Sequence, residues 1–499
     1  MNRSLVKKRS LRLTPNPSLN DYLACLLSGG LQAVSHPPLE IAFLIWAALV
    51  PVFTRLRPGG DRANAWLGFL TGCVFYSGHL YWVAHATGGG VLALIVSLSA
   101  INAGVFWIFG WLNGRTWSIP SSALVWALVE YLRSRGALAF SWGYPGHALF
   151  QWDGFLQAVF WIGVPGLSFL IIAVNLSLAQ WLSTRTDAAR GNLRFHSLFY
   201  LFASILFMIL LHGYGKWVIR SLEREPEPAT AIRVGLIQGN FSQEEKETAE
   251  PFDALSVYLT LSEKSLQEKP DLIIWPESAI TVPINLWPVL VQKITDFVNL
   301  RQVEMLTGTV YGEPADNGGW RYRNRVFLFS PNQSFSISGE EVDLSHVPFY
   351  DKMHLVPYGE WIPLGRYWPF NKIETLIEEA GAGIFEPGTQ PVIFHTRQGI
   401  AFAAAVCIES TLPGYFADMR RRGARFVATI TNDAWYKRSV GLEQHFNQCL
   451  FRAAENRFPV VRAANTGITG VIGPTGNILK TIPPHQPGYC VFELRFPSN

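Results

Sequence analysis

Apolar residues fall in long blocks up to about residue 220 and in short, interrupted ones after it. The long blocks lie near Leu19–Ser35, Leu39–Leu56, Ala63–Ala86, Gly90–Leu112, Ile119–Leu132, Phe155–Leu182 and Phe195–Trp217. A helix needs about 20 apolar residues to cross the hydrocarbon of a bilayer. Most blocks reach that length; the first and fifth are shorter, the size of re-entrant segments. The first is also the size of a signal-peptide core, but a second block follows at once and favours a retained helix. The pattern predicts a polytopic α-helical membrane domain of about seven spans over residues 1–220.

At "SLEREPEPAT" (221–230) a short charged linker with two prolines interrupts the pattern. Over 231–499, short β-type runs alternate with helical periodicity. "IRVGLIQGN", "PDLIIWPES", "VEMLTGTVYG", "NRVFLFS", "IAFAAAVCIE", "RFVATITND" and "PVVRAANTG" read as strands; "FDALSVYLTLSEKSL" and "LEQHFNQCLFRAAENR" read as helices. Strands that alternate with helices in a stretch this long predict an α/β domain with its own core.

Charge orients the first half. Lys and Arg gather on the cytoplasmic side of membrane helices. Arg3, Lys7, Lys8, Arg9 and Arg12 precede the first block. Arg55, Arg57 and Arg62 lie between the second and third, and Arg185, Arg190 and Arg194 between the sixth and seventh. The alternate loops "SHPP" and "HATGGG" carry neither, and only Arg133 and Arg135 break the pattern. The N-terminus is thus expected in the cytoplasm and the α/β domain outside. Tyr81, Trp82, Trp107, Trp111, Trp117 and Trp217 lie near block ends, as an interfacial belt does.

Composition agrees. Only 16% of the residues are charged, and the net charge of +4 implies no general affinity for nucleic acid. The five cysteines include no CxxC pair, which argues against a disulfide framework or a zinc site and leaves room for a lone functional thiol. Few ionisable residues fall inside the apolar blocks besides Glu40 and Glu130, both near block ends, which argues against a transporter.

Three positions in the second half stand out. Glu277 follows an apolar strand that "WP" terminates. Lys352 and Glu360 share "YDKMHLVPYGEWIP", whose prolines and glycine suit an extended loop. Cys407 ends the small-residue strand "IAFAAAVC", and "ESTLPG" after it begins a turn or helix; a thiol at a helix N-terminus would have its pKa lowered. Each has an ordinary alternative: a loop glutamate, a surface lysine, a packed thiol. Together, a carboxylate, an ammonium and a thiol are the parts of acyl transfer: base, oxyanion stabiliser and nucleophile. Cys449 reads as core packing, as do Cys25, Cys73 and Cys490.

The order "WPES", "YDKMHLVPYGEWIP", "VCIE", "TNDAWY", "RAANTG" resembles the nitrilase (carbon–nitrogen hydrolase) superfamily. Joined to a membrane half containing "SWGYPGH" and "GVPGLSFLIIAVN", it is similar to the apolipoprotein N-acyltransferase family over nearly the whole chain. That resemblance implies a nitrilase-like α-β-β-α sandwich on the periplasmic face of a bacterial inner membrane. It implies an acyl chain taken from a phospholipid, typically phosphatidylethanolamine, through a cysteine thioester to the N-terminal amine of diacylglyceryl-modified apolipoproteins. Glu277, Lys352 and Cys407 match the family's catalytic positions, and Glu360 and Glu409 match acidic positions that support them. No metal or soluble cofactor is implied.

The chain departs from the family pattern in places. Ile408 stands where a tyrosine is usual, Gly146-His147 where a glycine–tyrosine pair is usual, and "QGNFSQEEKE" lacks the usual tryptophan. The chain stops at "YCVFELRFPSN", which reads as a last strand in place of the family's eighth helix. These changes keep open a membrane-tethered nitrilase-type amidase, or an acyltransferase for another amine.

Overall fold

The computed structural model describes residues 17–496 apart from 60–61, 88, 186–190, 223–229, 249, 316–318, 334, 339–340, 358 and 363–383. The basic cluster Arg3–Arg12, Arg190 and most of the 221–230 linker lie outside the described residues. The chain divides into two compact units. One comprises Met1–His79, Leu92–Trp126 and Phe169–Ile205; the other comprises Leu80–Val91, Ala127–Ser168 and Leu206–Asn499.

In the first unit, helix Leu19–Val34 begins at a capping box. Asp21 Oδ2 accepts from Ser18 N at 2.8 Å, and Asp21 N donates to Ser18 Oγ at 3.3 Å. Asp21 also meets Arg57 at 3.2 Å, which ties the start of this helix to the basic loop after the second block. The second block is not one helix. It forms a 3-10 turn at Ala42–Trp46 and a single helical turn at Val50–Phe53. Pro51 has no N–H to give a continuous helix. Asn175 repairs the break: its Oδ1 accepts from Leu49 N at 2.8 Å and its Nδ2 donates to Ile45 O at 3.0 Å. Irregular backbone at membrane depth persists where protein groups satisfy it in this way.

The third block gives helix Arg62–Leu80 and the fifth Ser118–Arg133. The sixth is split into a turn at Asp153–Leu156 and a helix, Val159–Thr184, that kinks where Gly163 adopts φ 60°, ψ 178°. Among the described residues three helices are long and apolar enough to cross a membrane: Gly90–Leu112, Val159–Thr184 and Gly191–Leu222. Tyr81, Trp107, Trp111, Trp117 and Trp217 are exposed, as belt residues are, but Trp82 is buried.

The second unit contains the expected strands in two sheets. In the first, Thr230–Gln238, Leu272–Ile274 and Glu304–Pro314 run parallel, with Gly488–Phe496 antiparallel on one edge. Trp320–Phe329 and then Phe349–Asp351 extend the other edge, each antiparallel to its neighbour. In the second sheet Ala401–Val406, Phe426–Thr431 and Val460–Ala464 run parallel, Phe402 opposite Phe426 and Val427 opposite Val460. Those three strands are buried on both faces apart from Ala401, which is why they read as unbroken apolar runs. The sheets meet where Thr230–Gln238 packs on Val460–Ala464 and Thr469–Ile472. Helices Pro251–Ser265 and Pro288–Arg301 cover the first sheet around Tyr258, Trp275 and Ile294. Helices Gly441–Asn456 and Pro413–Arg421 cover the second. This is an α-β-β-α sandwich, with parallel strands of both sheets ending near the candidate side chains.

Candidate active site

Each candidate residue follows the end of a strand. Glu277 lies three residues beyond Leu272–Ile274, Lys352 directly after Phe349–Asp351, and Cys407 directly after Ala401–Val406. The sheets come so close here that a Cβ on Gly308 would stand 2.8 Å from both Glu277 Cα and Ile430 Cδ1. Only glycine fits that position.

Lys352 is buried between two carboxylates. Its Nζ donates to Glu277 Oε1 at 3.0 Å and to Glu360 Oε1 at 2.8 Å. Asn324 Nδ2 donates to Glu277 Oε1 at 2.8 Å, and Asn432 N donates to Glu277 Oε2 at 2.8 Å. Val356 N donates to Glu360 Oε2 at 2.7 Å. Burial works against charge on Lys352, but Glu277 and Glu360 outweigh it and hold the ammonium well above the usual lysine range. Burial likewise opposes charge on Glu277, yet Lys352 and the bonds from Asn324 and Asn432 leave it below the usual carboxylate range. For Glu360 burial prevails over Lys352, with Glu277 adding to it, and the carboxyl is raised. Two carboxylates sharing one ammonium are thereby pushed apart, and Glu277 is the one kept ionised.

Cys407 has φ +51°, a left-handed conformation that costs a non-glycine residue about 1–3 kcal/mol. The sequence expectation of a depressed thiol pKa is overturned. Cys407–Thr411 is a 3-10 turn, and the α-helix begins only at Pro413. Burial and the negative charge of Glu277 push the thiol up, and Lys352 only partly pulls it back. The resting group is therefore a neutral thiol that electrostatics couples to Glu277, Lys352 and Glu360.

Glu409 lies outside this cluster and braces it. Its Oε1 accepts from Tyr350 Oη at 2.7 Å, Met353 N at 2.8 Å and His354 N at 3.0 Å. Its Oε2 accepts from Val406 N at 2.8 Å. One fully buried carboxylate thus fastens the lysine loop to the strand that carries Cys407. The other face of the elbow is fastened by a buried polar group. Ser410 Oγ donates to Cys407 O at 2.7 Å, and His445 Nε2 lies 3.1 Å from the same oxygen. His445 Nδ1 stands 2.9 Å from Asp433 Oδ1, and Arg462 donates to Asp433 Oδ2 at 2.7 Å. Burial and Arg462 push His445 below the usual histidine range.

The sequence profile described as apolipoprotein N-acyltransferase N-terminal domain matches residues 28–177, and that described as carbon-nitrogen hydrolase matches 233–498. The apolipoprotein N-acyltransferase of Geobacter metallireducens is 33% identical over 494 residues, covering 95% of this chain and 89% of that protein. The one from Brucella suis is 28% identical, covering 92% and 87%. The chain belongs to the apolipoprotein N-acyltransferase family. It is an acyltransferase built on a carbon–nitrogen hydrolase domain.

The strand-end signal did not reveal every polar group that the site of this family member uses. Asn324 sits mid-strand, and its only trace in the sequence is one amide at the start of the apolar run "NRVFLFS". Lys246, in the solvated-looking "QEEKE", is buried: its Nζ donates to Ser278 O at 2.8 Å and Glu277 O at 3.3 Å. Burial pulls this lysine down to about 7, with Glu277 opposing. His445 lies on the buried face of its helix, where it reads as core.

Proposed function

We propose that this chain is a phospholipid:apolipoprotein N-acyltransferase in which Glu277, Lys352 and Cys407 carry the chemistry. The observation that carries the reading is the buried Glu277–Lys352 pair, 3.0 Å apart and coupled in charge to a strained, neutral Cys407 thiol. Glu277, ionised, takes the thiol proton as sulfur attacks the ester carbonyl of the phospholipid. An ammonium has three N–H bonds. Two of those on Lys352 go to Glu277 and Glu360, and the third is directed to the tetrahedral oxyanion. Collapse expels the glycerol oxygen, which recovers the proton from Glu277 and leaves as lysophospholipid. The amine of a diacylglyceryl-cysteine polypeptide then attacks the thioester and gives its proton to Glu277, which passes it to the expelled thiolate of Cys407 and is ionised again. Glu360 and Glu409 are supporting residues.

In this reading phosphatidylethanolamine is the donor, and residues 1–220 form about seven spans in a bacterial inner membrane. The linker is 221–230, and the catalytic domain, 231–499, is periplasmic. The N-terminus is then cytoplasmic; the Asp21–Arg57 pair supports this by joining the first helix's start to a second basic loop.

The test is a labelling experiment. Purified protein in detergent is given phosphatidylethanolamine with a labelled sn-1 chain, then a diacylglyceryl-cysteine peptide. The expected result is a hydroxylamine-labile adduct on Cys407 that moves to the peptide amine and is absent from Cys407→Ala. An adduct that only hydrolyses would replace this reading with an amidase- or lipase-like one, and transfer by Cys407→Ala at the normal rate would remove Cys407 as nucleophile.

A further inference from the structure

The strand that leads to Glu277 does not run on regularly beside its neighbour. Trp275 N donates to Leu306 O at 2.8 Å and Ala279 N to Gly308 O at 3.0 Å, so four residues on this chain span two on Glu304–Pro314. The extra residues bulge out of the ladder with Glu277 at their crest. Pro276 brings no N–H to the bulge, and Ser278 is left-handed at φ +48°. A serine holds that conformation only where its surroundings fix it. Lys352, Asn324 and Asn432 hold the Glu277 carboxylate; the main chain that carries it needs a hold of its own.

Lys246 supplies that hold. It belongs to the short polar helix Gln243–Thr248. Glu244, Glu245 and Thr248 are exposed there, whereas Lys246 is buried. Its Nζ donates to the carbonyl oxygens of both bulge residues, Ser278 at 2.8 Å and Glu277 at 3.3 Å. A buried lysine is ordinarily paired with a carboxylate, yet among the described residues this one makes no direct ion pair. Its counter-charge is Glu277: burial favours the neutral amine, and Glu277 opposes it. Of the other charged groups nearby, Glu250 shares a small recess with Lys246, and Glu245 is bonded to Ser242 N at 2.7 Å. Lys352, Glu360 and the Cys407 thiol interact with Glu277 itself.

We infer that Lys246 is a positioning residue for the proposed base. It clamps the bulge through two carbonyls and adds a positive charge on the backbone side of Glu277, so that the carboxylate stays both placed and ionised through each half-reaction. The inference rests on the acyltransferase reading and adds to it a second lysine, one that acts through Glu277.

The test follows both half-reactions as a function of pH. Lysophospholipid release measures thioester formation, and transfer to a diacylglyceryl-cysteine peptide measures the second step. Lys246→Met keeps the stem and removes the charge and both bonds. It is expected to slow the two steps alike at saturating substrate, by about 10–100-fold, the scale of losing a buried hydrogen bond to a charged group, with the KM for phospholipid unchanged. Without the nearby cation Glu277 is harder to ionise, so the acid limb of thioester formation should move to higher pH. Lys246→Arg, which keeps the charge and a donor for each carbonyl, should leave that limb in place. Should Lys246→Met not fold, Lys246→Gln, neutral but able to bond a carbonyl, is expected to move the limb in the same direction. An unchanged rate in the neutral variant overturns the proposal. A slowed rate with the limb unmoved also overturns it and leaves Lys246 a packing element. A raised phospholipid KM, or a loss confined to one step, overturns it and assigns Lys246 to substrate binding. If the unaltered protein forms no thioester at all, the acyltransferase reading fails and this inference falls with it.

Discussion

Lys352 has a carboxylate on each of two sides and, in the proposed cycle, an oxyanion on the third. Lys352→Met keeps the stem and removes the charge. Thioester formation should slow by about 10²–10³-fold, the usual scale for losing one oxyanion donor, while the protein remains in the membrane. The same ammonium is what restrains the Cys407 thiol. Alkylation of Cys407 by iodoacetamide should therefore keep rising above pH 9, because the thiolate forms only beyond the ordinary thiol range. In Lys352→Met that rise should shift to still higher pH. A plateau near pH 7 in either protein would contradict the neutral resting thiol. Glu277 and Cys407 stood out in the sequence because each follows an apolar run and ends it with chemistry, and Lys352 and Glu360 because they share the extended loop "YDKMHLVPYGEWIP". Lys246, Asn324 and His445 were not. Their roles arise only when the two sheets and the helix Gly441–Asn456 come together, and locally they look like a solvated lysine, a strand amide and a core histidine.

At the level of elements, the strands of the sandwich were legible because burial on both faces leaves continuous apolar runs. The second apolar block is less regular than its hydropathy suggests. Hydropathy sums residues and does not register that Pro51 lacks an N–H or that Asn175, more than a hundred positions away, supplies replacement bonds. Glu409 shows how separate elements are held as one. It joins the lysine loop to the strand that ends at Cys407 through three backbone N–H groups and the Tyr350 hydroxyl. Glu409→Gln turns one acceptor into a donor that faces other donors. A loss of about 2–4 kcal/mol is expected for leaving such groups unpaired in the interior. It should appear as a lower thermal midpoint and a shorter half-life of activity. An unchanged midpoint would show that Glu409 does not brace the loop.

For the whole molecule, the composition change at 221–230 was legible, and so was the asymmetry of Lys and Arg among the loops. Together they predict sidedness. Lys293→Cys, on an exposed helix of the sandwich, should react with an impermeant maleimide in cells whose outer membrane alone is opened. Arg62→Cys should react only after the inner membrane is broken; the reverse pattern would invert the topology. What the sequence did not reveal is that segments between the apolar helices belong with the sandwich. Trp82 Nε1 donates to Gln444 Oε1 at 3.0 Å, and its ring lies 4.6 Å from that of Tyr436. Trp142 lies 5.7 Å from His445, and His147 5.1 Å from Phe451. Gln157 donates to Thr475 O at 2.8 Å. Severing the chain at the linker would strip these partners from the helix that carries His445 and bare an apolar seat beside the turn at Cys407. The smallest working piece of this protein is therefore larger than its hydrolase-like half, and truncation is the wrong route to a soluble version of the enzyme.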